Sequence, residues 1–475
     1  MDSIEKLTDF LASITAVVWG PFLLIPLLLG TGLYLTIRLG GLQFRALIRG
    51  LKHVFTSEDH ADINGDISNY QALTTALAAT VGVGNIVGVA TALSIGGPGS
   101  LLWIWITGLV GMASKYTEAY LGVRFRETDV HGEQSGGPQV YLRRGIPGPV
   151  GKVLALAFTI FAVIASFGIG NLTQGNAVAT GMKETFGIDP VLTGLILFIG
   201  VGAVLLGGIQ SIGRITAGFV PMMIVVYVVA GIVVLIMNIS QVPAAFGEIF
   251  SAAFTGSSAV GGFAGAGIIV AVQMGVARGI FSNESGMGSA AIAAAAARTT
   301  HPVRQGLVSM TQTFIDTIIV VSITGLCIVT TGVWDRGRDQ AGSMTSEAFA
   351  TGLPGHWGGT IVSLSVIFFA FSTILGWSYY GERCIVALLG HKASMPYRMV
   401  FTLIVFVGAT TQLTLAWTFS DLANGLMALP NLVGLIILAG LVARETRSYL
   451  TFDPKLSASA DEVRGHIAAT GMDWK

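Results

Sequence analysis

The apolar run near residue 80 is interrupted at TVGVGNIVGVATA, Thr80 to Ala92, where Gly82, Gly84 and Gly88 surround Asn85. Glycine removes side-chain bulk and helical preference together, while the Asn85 amide and the Thr80 hydroxyl add hydrogen-bonding capacity. Backbone that leaves the helix at membrane depth needs other partners for its N–H and C=O groups, and a bound zwitterion with a cation would supply them. A second interruption, GVARGIFSNESGMGSA from Gly275 to Ala290, sets Ser282, Asn283, Glu284 and Ser285 between glycines. In ASFGIGNLTQGNA, Asn171 and Gln174 stand three apart, neighbours on a helix, where two amides could meet an ammonium or a carboxylate; interhelical bonding is their plainer role. In FFAFSTILGWSYYGE, the adjacent hydroxyls of Ser372 and Thr373 suit a hard cation such as sodium, although a lone membrane Ser or Thr usually bonds its own i−4 carbonyl. Trp377 is large enough to cap a small pocket and Phe167 and Phe281 to wall it, although such aromatics more often pack. Lys115, Glu118, Arg278, Glu284 and Asp316 are ionisable groups in or near apolar segments, and Arg278 could meet Glu284 across a break.

Several other chemistries are excluded. GVGNIVG is GxGxxxG, one residue longer than a dinucleotide fingerprint and without a surrounding strand; its Gly84 and Gly88 also form the GxxxG spacing of close helix packing. DHADINGD lacks the spacing and closing glutamate of an EF-hand and reads as a solvated connector. Cys327 and Cys384 have no partner at metal-ligand spacing and read as packing residues. All seven histidines, His53, His60, His131, His301, His356, His391 and His466, fall in expected loops or the tail, and neither HExxH nor GxSxG occurs. A net charge of zero without a basic, aromatic-rich cluster argues against nucleic acid.

These residues need a membrane scaffold to hold them. Only 11% of the 475 residues are charged, against roughly 25% in soluble domains, and 52% are hydrophobic. Runs of about 20 apolar residues predict eleven spans, at 15–38, 71–95, 99–123, 150–181, 189–210, 215–238, 262–297, 306–331, 357–389, 397–418 and 421–443. MDSIEKLTDF lacks the positive start of a cleaved signal, so the first span is expected to remain. With the N-terminus outside and the C-terminus inside, twenty of the 26 basic residues fall on the cytoplasmic side. The 262–297 run would extend about 54 Å as one helix, beyond a core of about 30 Å, so it protrudes, tilts or breaks. Setting aside an extra N-terminal helix at 1–38, the rest divides into five-helix units at 71–238 and 262–443 and a cytoplasmic tail at 444–475. Each unit begins with its glycine-interrupted member, and an odd number of spans makes the second enter from the opposite side. The fold class is therefore an all-α membrane protein with two discontinuous helices.

Several ordered blocks between Gln71 and Gly390 resemble the alanine or glycine:cation symporter family: TVGVGNIVGVATALSIGGPGSLLWIWITGLVGMASKYTEA, GEQSGGPQVYL, SFGIGNLTQGNA, ARGIFSNESGMGSAAIAAAAA and STILGWSYYGE. The resemblance implies a LeuT-type 5+5 inverted repeat and sodium-coupled uptake of alanine and glycine, with D-alanine or serine as further candidates, across a bacterial inner membrane. Val81, Gly82, Val83, Gly84 and Asn85 look like the carboxylate site, Gln174, Phe281 and Ser282 like substrate contacts with Asn171 nearby, and Trp377 like a pocket-closing aromatic. For the sodium ion, the similarity suggests the carbonyls of Ala78 and Val81 with the hydroxyls of Ser372 and Thr373. One departure is Val83, where the family pattern leads one to expect a small polar residue. Lipid and a small amino acid are the expected partners, with no nucleic acid and no required oligomer. Competing readings are proton coupling through Glu284 or Asp316, which would make uptake follow pH, a channel, and an intramembrane enzyme, for which no catalytic pair is found.

Overall fold

The computed structural model describes residues 2–56, 65–129, 132–255, 264–336, 341–355, 357–411 and 413–472. Most of DHADINGD, together with His60, His131 and His356, lies outside them. Apart from a two-residue hairpin pairing Glu127–Thr128 with Gln134–Ser135, the regular structure is helical. Among the described residues, six helices are long and apolar enough to cross a membrane, or eight if two bent pairs, Leu24–Arg38 with Leu42–His53 and Asn69–Thr80 with Gly84–Gly96, each count as one. Gly99–Arg124 has 26 residues, roughly 39 Å of helix, and carries Lys115, Glu118 and Arg124, which lower its hydropathy rather than its reach.

Several expected boundaries move. The first segment is two helices, Asp2–Val18 and Leu24–Arg38, because Gly20 and Pro21 interrupt the run. No break falls between 418 and 421; the chain turns after Ser394–Thr410, and Leu413–Phe452 continues as one 40-residue helix through Pro430. The expected connector 39–70 contains the amphipathic helix Leu42–His53, so His53 is helical and buried rather than in a loop. Val242–Thr255, Met344–Gly352 and Ala460–Thr470 are further helices in segments read as connections or tail. The last begins with a capping box between Ser459 and Glu462, a Ser-x-x-Glu pattern readable in the sequence. A matching box, Ser68 with Gln71, starts the first interrupted helix.

The core is a large apolar cluster with polar groups threaded through it, and a smaller one in which Val89 and Leu93 are grouped with Leu101, Ile104, Ile249 and Ile328. Gly99–Arg124 runs beside the second interrupted helix and the stretch Phe314–Val321 beyond it: Gly122 packs on Ala291, Gly275 on Trp103, and Gly108 on Thr317. Cys327 and Cys384 are free and buried.

Candidate functional site

The first interrupted helix stops at Thr80 and resumes as a π-helical turn, Gly84–Gly88, followed by Val89–Gly96, with a 52° bend between the two halves. The cause lies in three redirected hydrogen bonds. The Gly82 N–H donates to Asn85 Oδ1 (2.9 Å) instead of Ala78, the Val83 N–H to Gln174 Oε1 (3.3 Å) instead of Ala79, and the Asn85 N–H to Gly82 instead of Val81. The carbonyls of Ala78 and Val81 therefore leave the ladder. Both face the helix Trp357–Leu389, where Thr373 Oγ1 lies 3.0 Å from Ala78 O and 3.5 Å from Val81 O, and Ser372 Oγ lies 3.4 Å from Ala78 O. Four uncharged oxygens thus converge, a donor set suited to a hard monovalent cation. Both hydroxyls also bond the Phe369 carbonyl, the local role expected of lone membrane hydroxyls.

Glycine is required here by close approach. A Cβ on Gly82 would stand 2.5 Å from Thr373 Oγ1 and 3.3 Å from Gln174 Oε1, and one on Gly84 would stand 3.0 Å from the Phe281 ring and 3.2 Å from Ser282 Cα. Gly84 therefore both permits the break and lets the second interrupted helix approach, whereas a Cβ on Gly88 would meet nothing nearer than 3.9 Å, so close packing rests on Gly84 rather than on the GxxxG pair. Val83 contributes its backbone N–H, as its side chain cannot hydrogen-bond.

The second interruption follows Ala264–Asn283, leaves residues 284–289 outside any helix, and resumes at Ala290–Ala295. Phe281 and Ser282 remain helical, so the break starts beyond them. Glu284 has a positive φ of 56°, rare for a side-chain-bearing residue, and Gly286 and Gly288 follow at 91° and 83°. Buried charge and amide groups fix the turn. Lys115 Nζ donates to the Glu284 carbonyl (3.1 Å), and Trp377 Nε1 and Ser289 Oγ donate to the Glu284 carboxylate at 2.6 and 2.5 Å. The Gly288 N–H and Asn431 Nδ2 both donate to Glu118 Oε1, and Asn431 Nδ2 also reaches the Gly286 carbonyl. Glu118 Oε2 has no partner although the residue is fully buried. Asp316, on a π-helical stretch Phe314–Val321, joins the two breaks: it accepts from Asn85 Nδ2 (2.7 Å), Ser282 Oγ (2.9 Å) and Thr317 Oγ1 (2.9 Å).

Hydrogen bonds and close packing bring together most residues singled out in the sequence: Ala78, Val81, Gly82, Val83, Gly84, Asn85, Gln174, Phe281, Ser282, Ser372 and Thr373. Asn171 bonds the Phe401 carbonyl instead (2.8 Å), and Phe167 packs in tilted contact with Tyr397 and Phe401. Trp377 is wholly buried under Gly170, tied to Glu284. Arg278 does not pair with Glu284. It grips Asp421 with both Nη atoms (3.1 and 2.5 Å), because six residues along an intact helix turn it toward the neighbouring Leu413–Phe452 helix. Its guanidinium covers Trp417, which stacks on Phe281 with ring centroids 4.7 Å apart. Asp421, Trp417 and Asn431 were not anticipated; for Asn431 the available signal was an Asn beside Pro430 in an apolar run. At the water-facing end, burial pushes the Arg126 guanidinium down to about 10, opposed by the Asp66 carboxylate; Arg126 donates to the Ala295 and Ala297 carbonyls that close the second interrupted helix.

The bundle is similar to that of a mutant manganese transporter from Eremococcus coleocola, with a TM-score of 0.51 at 15% identity, covering 87% of this chain and 95% of that one; at this identity the likeness is one of fold. A multi-pass membrane protein with a transporter's fold, built around two interrupted helices that meet at a polar centre, is the class so defined. The sodium:alanine symporter family model matches residues 4–462, and the chain belongs to that family. It is 49% identical to the sodium/alanine symporter AgcS of Methanococcus maripaludis over 93% of this chain and 97% of that protein. It is 48% identical to a transporter of Haemophilus influenzae over 93% and 96%. The family consists of transporters rather than enzymes, and the chain is a cation-coupled amino acid transporter.

Proposed function

We propose that this protein carries small neutral amino acids, alanine and glycine foremost, into the cell together with sodium, using an eleven-span LeuT-type fold with five-helix units at 71–238 and 262–443, an extra N-terminal segment at 1–38 made of the two helices described above, and a cytoplasmic tail from 444. The N-terminus lies outside and the C-terminus inside a bacterial inner membrane. One observation carries the reading: a single break frees the carbonyls of Ala78 and Val81 toward Ser372 and Thr373, and redirects the N–H groups of Gly82 and Val83 to neutral side-chain amides. A substrate carboxylate displaces the Asn85 and Gln174 oxygens from those N–H groups, aided by the positive end of the half-helix beginning at Gly84. Sodium, the co-transported substrate, takes the four oxygens on the other side of the same backbone. Each ligand orders what the other needs, which is the source of coupling. Close approach of Phe281 and Thr373 to Gly84 and Gly82 leaves little room beside the break, which favours a substrate with a short side chain.

One inward charge at 100 mV releases about 2.3 kcal/mol, and a tenfold sodium gradient adds about 1.4, enough for several-hundred-fold accumulation of a neutral solute. The test is alanine uptake into proteoliposomes in sodium and in choline, with glycine, serine and D-alanine as competitors. Accumulation in choline at an unchanged rate refutes sodium coupling. The unpartnered Glu118 Oε2 beside Lys115 favours a second reading, proton coupling, which predicts uptake that follows an imposed pH gradient in choline.

A further inference from the structure

Gly40 and Gly41, both at positive φ, turn the chain through 81° between Leu24–Arg38 and Leu42–His53. If the first crosses the membrane, the second lies along its surface. One side of this second helix is buried at Gln43, Ala46 and Gly50, while Phe44 and Ile48, one turn apart, are 61% and 69% exposed. That is the apolar face of an interfacial helix. Two adjoining cavities of about 710 and 470 Å³ open between this corner and the end of the Leu413–Phe452 helix. Arg38 and Arg447 line both, Arg444 and His466 the larger, and Arg45 and Arg49 the smaller. Arg38 lies across the groove against Gly440.

Five arginines on three segments thus converge, and among the described residues none of them has a carboxylate within ion-pair distance. Arg45 donates to the Leu39 carbonyl, and Arg49 to those of Pro454 and Arg45. Other arginines at this end are matched: Arg124 with Glu445, Arg143 with Glu127 and Arg304 with Asp453. The positive-inside bias explains basic residues at this face but not their convergence on a concave groove without counter-charge.

We propose that this groove binds the phosphodiester headgroup of an anionic phospholipid, whose chains lie along the exposed Ile37, Phe44 and Ile48. The guanidinium forks match phosphate oxygens, and the groove stands where headgroups end and acyl chains begin. Native mass spectrometry of the full-length transporter, released from micelles holding equal amounts of phosphatidylglycerol and phosphatidylcholine with identical chains, tests this. We expect phosphatidylglycerol to be retained at least about tenfold over phosphatidylcholine, with the preference falling as salt rises. The triple variant Arg38→Gln, Arg45→Gln, Arg447→Gln retains the two lipids about equally, since at about fivefold per basic side chain the attraction removed is more than the tenfold preference needs. The Arg143→Gln, Arg144→Gln control, at the same end, retains it. Equal retention of the two lipids, or equal loss in both variants, overturns the proposal. Displacement of the lipid by millimolar inorganic phosphate assigns the groove to a free anion and overturns it equally. If the triple variant aggregates on size exclusion, the salt titration of the wild-type protein decides: a preference that ignores salt refutes a headgroup held by arginines.

Discussion

The two interrupted helices meet at Asp316, yet they are held open by opposite means. The first break rests on neutral groups: the Asn85 and Gln174 amides cap its N–H groups, and hydroxyls face its carbonyls. The second rests on a buried ammonium, two carboxylates, an indole and the Asn431 amide, all outside contact with water. Neutral partners bond weakly enough for a zwitterion and an ion to replace them during each cycle. Charged partners in a medium of low dielectric are costly to rearrange, so the second break behaves as a fixed bend. In the proposed cycle, the first break receives the ligands while the second maintains the geometry against which they are received.

The largest expected effect follows from removing the charge at the second break. Lys115→Met strips the Glu284 carbonyl of its donor and leaves Glu118, Glu284 and Asp316 buried without a positive neighbour. Stability should fall by roughly 3–5 kcal/mol, read as a lost or broadened melting transition on size exclusion. A variant that melts like the wild type would break the comparison, since neutral packing would then suffice at both breaks.

Gly82→Ala addresses the first break and should separate function from stability. The added methyl meets Thr373 Oγ1 at 2.5 Å, and a β-branched side chain cannot withdraw far. Overpacking of this kind costs about 1–3 kcal/mol. Sodium-driven alanine uptake should drop at least tenfold, roughly 1.4 kcal/mol or more, while the folded protein survives. Uptake at the wild-type rate would mean that Gly82 lines no ligand.

The sequence foretold these two regions unequally, for physical reasons. The first break was legible to the residue because its cause is local: two glycines and an asparagine three positions from the freed N–H. Its facing hydroxyls, Ser372 and Thr373, stood out only as an adjacent pair, which carries little signal alone in an apolar helix, and it was the family resemblance that joined them to the carbonyls of Ala78 and Val81. At the second break SNES marked the place, but Glu284 was read as a partner of Arg278. No single-chain pattern states that Arg278 faces Asp421 across 143 positions, or that Lys115 and Trp377 close on Glu284 from two other helices. The amphipathic helix Leu42–His53 was missed because the ruler for spans discards segments that are half polar, and the boundary between Thr410 and Leu413 because three polar residues, Thr410, Thr411 and Gln412, are too short a step to end an apolar run.

Thr373→Ala sharpens the first half of the comparison at a smaller scale. It removes one of four converging oxygens and leaves the carbonyls of Ala78 and Val81 in place. The sodium concentration for half-maximal uptake should rise about tenfold, equivalent to 1.4 kcal/mol, and Thr373→Ser should restore it. An unchanged sodium dependence would remove Thr373 from the ion site without touching the account of the second break.

The smallest effect is expected at Glu118. Its Oε1 carries both structural hydrogen bonds, from Gly288 and Asn431, and Oε2 carries none. In Glu118→Gln the amide oxygen replaces Oε1, and the new NH₂ occupies the position of Oε2, so the turn keeps its acceptor. What changes is one buried negative charge. If Glu284 and Asp316 suffice as counter-charges to Lys115 once Glu118 is neutral, the melting temperature should move by only a few degrees, the size of a change of about 1 kcal/mol. A loss as large as that of Lys115→Met would instead show that Glu118 is the principal counter-charge. Combining the two substitutions separates these cases: a double variant more stable than Lys115→Met alone reports direct coupling, and simple addition reports independent sites.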